Sequence, residues 1–384
     1  MSAQPADEAA AQQDTAQPDT AQPDAAQPDT AQPAHPQPEP AETQAAPQAS
    51  PPPAPPPIDP AQTRLVKELQ HARPLFSCRA DLSGRFVCCG AHDHLVQRFD
   101  LQTDQKVELA GHRSWVRALA FHPDGNRLYS GDYAGRLIGW QYRADPPAAL
   151  FDVQAHDGWI RAAAVSPDGS QLATCGNDKL VRLWSADGVH QTDLAGHEHH
   201  VYNVVYHPSG GQLASCDLKG VVRHWDLSSA STVRQFDAAI LWKYDTTFRA
   251  DIGGARGMAF SPDGKLLACT GITDVTNAFA GVGNPLVVVL NWETGQQHQL
   301  LRPKEAFQGV AWGVVMHPAG YVIAIGGGGG GGALWFWKPD DPQPVFEMKL
   351  PAVARDLTLL PDGQRLAIAC YDRKLRLYDC SPAG

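Results

Sequence analysis

The chain has 384 residues, with 31 Lys or Arg against 41 Asp or Glu, and its net charge at pH 7 is −10. Residues 1–62 hold nine of the acidic side chains and no Lys or Arg, so residues 63–384 are nearly neutral, with 31 basic and 32 acidic side chains. This balance argues against nucleic-acid binding by the folded part. No eighteen-residue apolar run and no signal-like N-terminal segment occurs, so we expect a cytoplasmic protein without a membrane partner.

The first 62 residues consist almost entirely of Ala, Pro, Gln, Asp, Thr and Glu. The pentapeptide of residues 15–19 recurs with at most one change at residues 20, 25 and 30. Such a segment has too few apolar side chains to offset the chain entropy lost on folding. We therefore predict a disordered acidic tail over residues 1–62 and a folded domain over residues 63–384.

Seven short turns, each ending in glycine, divide the rest of the chain at spacings of 41, 44, 41, 54, 56 and 43 residues. In most of them Pro presets φ, Asp accepts a local hydrogen bond and Gly adopts positive φ, and apolar strand-like runs flank the turn. A period of this length is typical of repeat folds. The turn glycines are Gly84, Gly125, Gly169, Gly210, Gly264, Gly320 and Gly363.

Two further residue types keep a constant distance from the turn glycine. A His lies thirteen residues before it in the first four repeats, and an aromatic residue lies fifteen residues after it in six of the seven. In repeat five we match Trp292, displaced by an insertion. With this pattern, residues 64–384 resemble the WD-repeat β-propeller family. The resemblance implies an all-β, seven-bladed propeller with four-stranded antiparallel blades, in which an N-terminal strand, here residues 65–69, completes the last blade and closes the ring.

The resemblance also implies a hydrogen-bonded set in each blade, formed by the early His, a Ser or Thr, an Asp and the Trp. Such a set satisfies the indole N–H of a buried Trp. Repeat three is complete, whereas repeats two and four carry Ala134 and Lys219 at the Asp position. Because these residues recur once per blade, we interpret them as structural and not as a catalytic cluster. They are His71, Asp93, His112, Ser130, Trp140, His156, Thr174, Asp178, Trp184, His197, Ser215, Trp225 and Asp372.

In this family one face commonly binds partners, and two positions in each repeat, three and five residues after the early His, point towards it. Here these positions carry four arginines and several large aromatic residues, which are types that dominate binding hot spots. Two interpretations stay open. The resulting mouth binds a partner, or its arginines pair with acidic neighbours while its tryptophans pack on adjacent blades. The candidate partner-binding residues of the mouth are Trp115, Arg117, Trp159, Arg161, His200, Tyr202, Arg256, Trp312, Arg355, Tyr133 and Tyr371.

Two insertions fall near the same face, at residues 239–244 after repeat four and at residues 272–284 inside repeat five. The first contains an Ile-Leu-Trp run and a Tyr, so it would be an anchor for a partner if exposed. Alternatively, it packs over blades four and five.

Three other features invite a cofactor or metal and are discounted. The eight cysteines form no CxxC pair, and the glycine run 326–332 lacks the Lys and hydroxyl of a phosphate-binding loop. The His-rich stretch 197–200 begins with a His that the repeat already explains. We predict no cofactor and no metal.

These observations predict a non-catalytic protein–protein interaction scaffold. It would be a monomeric propeller within a complex that binds one or more proteins, through an acidic or phosphorylated segment, at the mouth. Arginines and aromatic residues orient ligands but seldom act as a general base, so no enzymatic activity is expected. The alternative is a small-anion receptor or a channel-mouth enzyme that uses the same arginines.

Overall fold

The computed structural model describes residues 57–277 and 282–383. All but two of the described strands belong to seven four-stranded antiparallel sheets, each of which is one blade. The predicted seven-bladed propeller is therefore confirmed. Of the predicted tail, residues 1–56 lie outside the described residues.

The chain enters the ring through a single strand, β1 (Arg64–Gln70), which belongs to the last blade. Blade 1 then contains β2 (Leu75–Ala80), β3 (Phe86–Ala91), β4 (Leu95–Asp100) and β5 (Lys106–Ala110). Blade 2 contains β6 (Val116–Phe121), β7 (Arg127–Asp132), β8 (Arg136–Gln141) and β9 (Ala148–Gln154). Blade 3 contains β10 (Ile160–Val165), β11 (Gln171–Gly176), β12 (Val181–Ser185) and β13 (His190–Leu194).

Blade 4 contains β14 (Val201–Tyr206), β15 (Gln212–Asp217), β16 (Val221–Asp226) and β17 (Ser231–Asp237). A two-stranded hairpin of β18 (Trp242–Asp245) and β19 (Ala250–Gly253) follows. Blade 5 contains β20 (Gly257–Phe260), β21 (Leu266–Asn277), β22 (Val282–Asn291) and β23 (Gln297–Leu301). Blade 6 contains β24 (Val310–His317), β25 (Tyr321–Gly328), β26 (Gly331–Trp337) and β27 (Pro344–Leu350). Blade 7 contains β28 (Ala354–Leu359), β29 (Arg365–Cys370) and β30 (Lys374–Asp379), with β1 outside them. Single 3-10 turns occur at Pro60–Gln62 and Ala239–Leu241.

The core lies between neighbouring blades. The second strands are buried on both faces, as in β3, where every residue is buried, whereas the outer strand β5 buries only Leu109. Between blades 1 and 2, for example, Phe86 and Leu109 pack with Ile138 and Trp140. Because each blade is covered on both sides, its inner strands need continuous apolar sequence and its outer strand does not.

The predicted ring closure is confirmed, since β1 pairs antiparallel with β30 from Arg64 opposite Asp379 to Gln70 opposite Lys374. Glu68 reinforces the pair by accepting hydrogen bonds from Lys374 at 2.9 Å and Arg376 at 2.6 Å. Residues 57–62, assigned to the tail by composition, also contact the ring. The Asp59 N–H donates to the Cys380 carbonyl at 2.8 Å, and Ile58 packs on the cluster between blades 6 and 7.

One match made from the sequence is wrong. In blades 2, 3 and 4 the Trp lies opposite a leucine of the second strand, as Trp184 lies opposite Leu172. In blade 5 the partner of Leu267 is Leu290. Trp292 follows two residues later and donates its indole N–H to Gln212 Oε1 at 2.9 Å. The insertion removed the spacing on which the match relied.

Blade 4 buries one imidazole without a hydrogen-bond partner in the described residues. His224 is 5% exposed, both of its ring nitrogens are unpartnered, and its ring centroid lies 4.2 Å from that of Trp292. Burial lowers the pKa of His224 to about 4, from an ordinary value of 6.5. The equivalent residue of blade 3 is Leu183, since Ala173 pairs with Leu183 as Ala214 pairs with His224.

Deletion of residues 63–70 from the full chain should lower the melting temperature by about 10 °C, because it exposes the edge of β30 and removes the buried Leu69. Calorimetry measures the change. An eight-residue deletion within residues 1–56 serves as the control and should leave the melting temperature within about 1 °C. Equal melting temperatures for the two deletions would show that β1 does not stabilise the ring.

The variant His224→Leu should make the protein less sensitive to acid. Because the pKa of His224 is lowered in the folded state, the native state binds fewer protons than the unfolded state once the pH falls below about 6.5. The free energy of unfolding of the parent therefore decreases as the pH falls from about 6.5 to about 4. The variant's unfolding free energy minus that of the parent should therefore be about 1 to 2 kcal/mol larger at pH 5 than at pH 8. Urea titrations at both pH values measure the gain. The same gain at both pH values would argue against titration of His224.

Candidate binding mouth

A β-bulge sets the direction of the key side chain in six of the seven blades. In each, the pairing of the first strand with the second skips one residue, and bulges of this kind re-aim a side chain. The skipped residues are Phe76, Arg117, Arg161, Tyr202, Trp312 and Arg355. In blade 5 the corresponding Arg256 directly precedes β20, and its N–H donates to the Thr270 carbonyl at 2.7 Å.

A second ring of residues lies just outside the bulges. The carbonyls of Trp115 and Trp159 accept hydrogen bonds from the N–H groups of Tyr133 at 3.0 Å and Asn177 at 3.1 Å. The Val353 carbonyl accepts from the Tyr371 N–H at 2.9 Å in the same way. These bonds tie the turn between the second and third strands to the start of the first strand. They explain why Tyr133 and Tyr371 share the surface of the mouth.

Arginines and aromatic rings alternate along blades 3 to 7. The guanidinium carbon of Arg161 lies 4.4 Å from the ring centroid of Trp159 and 4.2 Å from that of Tyr202. The guanidinium carbon of Arg256 lies 4.7 Å from the Tyr202 centroid and 5.5 Å from the Trp312 centroid. We call this arrangement the belt.

The belt continues through Arg355, whose guanidinium carbon lies 4.3 Å from the centroid of Trp312 and 5.0 Å from that of Tyr371. Each contact is in the range of a cation–π interaction, worth roughly 0.5–2 kcal/mol. The belt therefore holds three guanidinium groups in defined orientations without using acidic side chains.

Stacked rings cover the other side of the mouth. Tyr133 and Trp159 stack in parallel, with centroids 4.0 Å apart, and His92 stacks on Trp115 at 4.7 Å. Both stacks join neighbouring blades, so the tryptophans do pack on adjacent blades. They nevertheless stay exposed, Trp115 by 40% and Trp159 by 38%. His200 lies beside this group and is half-buried; burial, followed by the nearby Arg161, lowers its pKa.

Acidic neighbours do not neutralise these arginines. Arg117 lies 3.8 Å from Asp356 and donates to the Phe76 carbonyl at 2.6 Å. In the described part of the chain, the other three arginines of the mouth, Arg161, Arg256 and Arg355, make no ion pair, and the Nε atoms of the last two are buried without a hydrogen-bond partner. Burial, followed by repulsion from Arg117, lowers the pKa of Arg355 to about 10.

Below the mouth, the first strands of all seven blades line a channel of about 300 Å³. Its one acidic side chain, Asp356, is already engaged, since it accepts hydrogen bonds from the Arg79 guanidinium at 2.7 Å and the Cys78 N–H at 3.1 Å. Ala and Val together form about half of the remaining wall. The channel therefore carries a net positive charge concentrated at its upper end.

The insertions both pack and stay exposed. Leu241 is buried in the core between blades 4 and 5, as one alternative expected. Ile240 and Tyr244 remain 39% and 47% exposed. Ile272 and Val275 of the longer β21 strand pack with Trp312, so the second insertion supports one wall of the mouth.

The glycine run supports the same Trp312. Its indole N–H donates to the Gly327 carbonyl at 3.2 Å. A side chain at Gly327 would place a Cβ atom 2.4 Å from Val353, and one at Gly332 would place it 1.9 Å from the Ala352 carbonyl oxygen. Glycine is needed here because the β25–β26 hairpin lies directly against the loop that precedes β28.

The hydrogen-bonded set of blade 3 has its four side chains joined as the resemblance implies. His156 contacts Asp178 at 2.8 Å and Thr174 at 2.7 Å, and Trp184 donates to the Thr174 hydroxyl at 2.9 Å. In blades 2 and 4 the same bonds join His112, Ser130 and Trp140, and His197, Ser215 and Trp225.

Two sets contain an acidic member that the sequence pattern did not predict. Asp132 accepts from His112 at 3.0 Å in blade 2, and Asp217 accepts from His197 at 3.0 Å in blade 4. Each lies two residues before the position that carries Ala134 or Lys219, at the end of the second strand. In both blades the sequence carries an Asp two residues after the Ser of the set, and this spacing could have identified the acidic member.

Blades 1 and 7 hold modified sets. His71 contacts Asp93 at 2.7 Å and Lys106 Nζ at 3.1 Å, because Cys89 and Phe99 supply no hydroxyl and no indole N–H. In blade 7, Arg376 donates to both oxygens of Asp372, at 2.8 and 2.5 Å.

Comparison with known proteins places the repeat pattern in a family. The family described as "WD domain, G-beta repeat" matches residues 103–141, 149–185 and 188–226. These three segments are WD repeats. Each match begins at or just before the outer strand of one blade and ends in the third strand of the next, so the three matches cover the blades in which the hydrogen-bonded set is complete.

Three curated relatives share short segments with this chain. A nuclear distribution protein PAC1 of Coprinopsis cinerea is 52% identical over 48 residues, 12% of this chain and 11% of the relative. The LEC14B protein of Lithospermum erythrorhizon is 32% identical over 77 residues, 20% of this chain and 16% of the relative. A PAC1 protein of Tuber melanosporum is 33% identical over 66 residues, 17% and 15%. The chain thus spans less than a fifth of the length of these relatives.

Within residues 57–277 and 282–383, no group of three or more His, Cys, Asp or Glu side chains could hold a metal ion. No helix in that part of the chain is long and apolar enough to cross a bilayer. The eight cysteines are free and buried, and burial raises the pKa of Cys269 to about 12, which leaves the thiol unreactive at neutral pH.

Asp217→Ala should lower the free energy of unfolding by about 2 to 4 kcal/mol, because it leaves buried His197 and the N–H groups of Lys219 and Val221 without an acceptor. Lys219→Ala, at the position first expected to complete the set, is the control and should change it by less than about 0.5 kcal/mol. Denaturant unfolding measures both. A larger effect at Lys219 would contradict the assignment of Asp217 to the set.

Proposed function

We propose that this WD-repeat propeller is a non-catalytic scaffold that holds an anionic segment of a partner protein at the mouth. WD-repeat propellers are generally protein-interaction scaffolds. The observation that carries the proposal is the belt, in which Arg161, Arg256 and Arg355 are oriented by aromatic faces and lack acidic partners within the described residues. Exposed Trp115 and Trp159 beside it supply apolar contact area.

Charged groups and apolar surface contribute to binding at the mouth in different ways. Converging guanidinium groups attract an anionic segment and speed its encounter. Large aromatic side chains at the rim contribute most of the contact energy when a partner covers them. Among the described residues of the mouth, arginines and aromatic side chains predominate, in keeping with the non-catalytic character typical of the family.

We further propose a cytoplasmic, monomeric propeller that acts within a larger complex and binds neither nucleic acid nor membrane. The near-neutral charge of residues 63–384 supports this proposal, because binding to nucleic acid depends on a broad basic surface.

The double variant Trp159→Ser/Arg161→Glu should lose at least about tenfold of the captured partner protein, since it removes one stacked ring and reverses one charge of the belt. Quantitative mass spectrometry of proteins captured by the full chain measures this. Capture by the parent should also fall when the ionic strength rises from about 0.05 to 0.5 M, because the belt is partly exposed to salt.

The control variant is Lys265→Glu, which reverses a highly exposed charge on the turn between β20 and β21, at the opposite end of the ring. It should capture the same proteins as the parent. If the double variant folds normally and keeps the full set of captured proteins, the mouth is not the binding surface.

A further inference from the structure

Within the mouth lies a small pocket of about 50 Å³. Three arginines and three aromatic rings line it, and no acidic side chain does. The lining residues are Arg117, Arg161, Arg256, Tyr133, Tyr202 and Trp312. Its volume can hold one compact group of a few heavy atoms.

The Tyr202 ring lies between two of the guanidinium groups that line this pocket. Its centroid is 4.2 Å from the guanidinium carbon of Arg161 and 4.7 Å from that of Arg256. Arg161 uses its Nε to donate to Asn177 Oδ1 at 2.8 Å, while the Nε of Arg256 is buried without a partner in the described residues. The planar donor fork of a guanidinium group fits an oxyanion through paired N–H···O bonds.

Charge and acceptor count decide between the possible anions. Three positive groups meet in a partly buried pocket, where the one carboxylate near Arg117 is Asp356 at 3.8 Å, among the described residues, and Asp356 contacts Arg79 more closely at 2.7 Å. A carboxylate supplies one negative charge and two oxygens in a plane. A phosphate monoester supplies a charge of about −1.5 to −2 and three strong acceptor oxygens in a tetrahedral arrangement. Donors that approach from three different blades match the second geometry.

We infer that this pocket binds one phosphate monoester group. The inference rests on the proposed function in that it names the anion the partner segment presents at the mouth. The aromatic rings at the rim, Trp115 and Trp159, then contact whatever carries the phosphate. Because no bond is made or broken, the pocket recognises the group and does not process it.

The experiment compares two dianions of similar size by isothermal titration calorimetry with the full chain at pH 7.5 and constant ionic strength. The probes are glycerol 2-phosphate and glutarate, which differ in geometry and not in charge. Glycerol 2-phosphate should bind at least tenfold more tightly than glutarate. Equal affinities would show that the mouth responds to charge alone and would overturn the inference.

Variants locate the binding. Arg256→Gln and Arg161→Gln should each weaken glycerol 2-phosphate binding at least tenfold. The matched control is Arg73→Gln, which removes an exposed arginine from the loop before β2, outside the pocket. If Arg256→Gln does not fold, Arg256→Lys keeps the charge, loses the planar fork and should still weaken binding several-fold. Equal weakening by Arg73→Gln would overturn the pocket assignment.

Two further measurements, partner capture after phosphatase treatment and capture by the mouth variants, distinguish this inference from the proposed function. Phosphatase treatment of the partner should abolish capture if the phosphate is part of the partner protein. If capture survives while glycerol 2-phosphate binds tightly, the pocket takes a free phosphate ester, and the inference stands without a phosphorylated partner. If capture depends on Trp159 and Arg161 but glycerol 2-phosphate does not bind, the scaffold function stands and the phosphate pocket does not.

Discussion

The pairing of β1 with β30 is the contact on which the rest of the structure depends. It joins the beginning of the ring to its end and covers the edge of β30, which would otherwise be open to other chains. Once the ring is closed, the first strands of all blades face one channel, and a residue at a given register position reaches the same level in every blade. Further links join neighbours at the opposite end, where His122, His207 and His317 contact the carbonyls of the turn glycines of the next blade at 2.9, 3.1 and 2.5 Å.

Closure alone would leave the six bulged side chains and Arg256 as unrelated groups. The sequence makes them one surface by alternating their chemistry, so that an arginine of one blade lies on an aromatic ring of the next. Arg161 of blade 3 packs on Tyr202 of blade 4, and Arg256 of blade 5 packs on the same ring. Burial, and after it repulsion from Arg117, lowers the pKa of Arg355. Cation–π contacts offset part of that repulsion without neutralising the charges, and the charges stay available to a ligand.

Periodicity, with the family resemblance that it carries, was sufficient to predict the number of blades and the closing strand, because both follow from spacing along the chain. Periodicity was insufficient where a side chain at another position along the chain reaches the same partner. Asp132 and Asp217 sit two residues from the expected position, yet their carboxylates reach the imidazole at the same 3.0 Å. In blade 5 an insertion broke the spacing, and Leu290 took the position assigned to Trp292. Contacts between blades, such as the stack of Tyr133 on Trp159, follow from the closed ring and from no single repeat.

The two halves of the mouth are supported by different means, and this bears on where ligand specificity lies. Blades 2 to 4 keep complete hydrogen-bonded sets. The stacked residues Trp115, Tyr133 and Trp159 belong to two of these blades. Blade 5 has lost its set, since Asp251 stands at the His position and accepts from Trp242 of the inserted hairpin at 2.9 Å. On that side the wall at Trp312 is built by Ile272, Val275 and the Gly327 carbonyl. A binding surface can change its ligand only where the scaffold is free to vary. The repeat therefore constrains the half of the mouth that holds Trp115, Tyr133 and Trp159. The insertions shape the half that holds Arg256 and its unpartnered Nε.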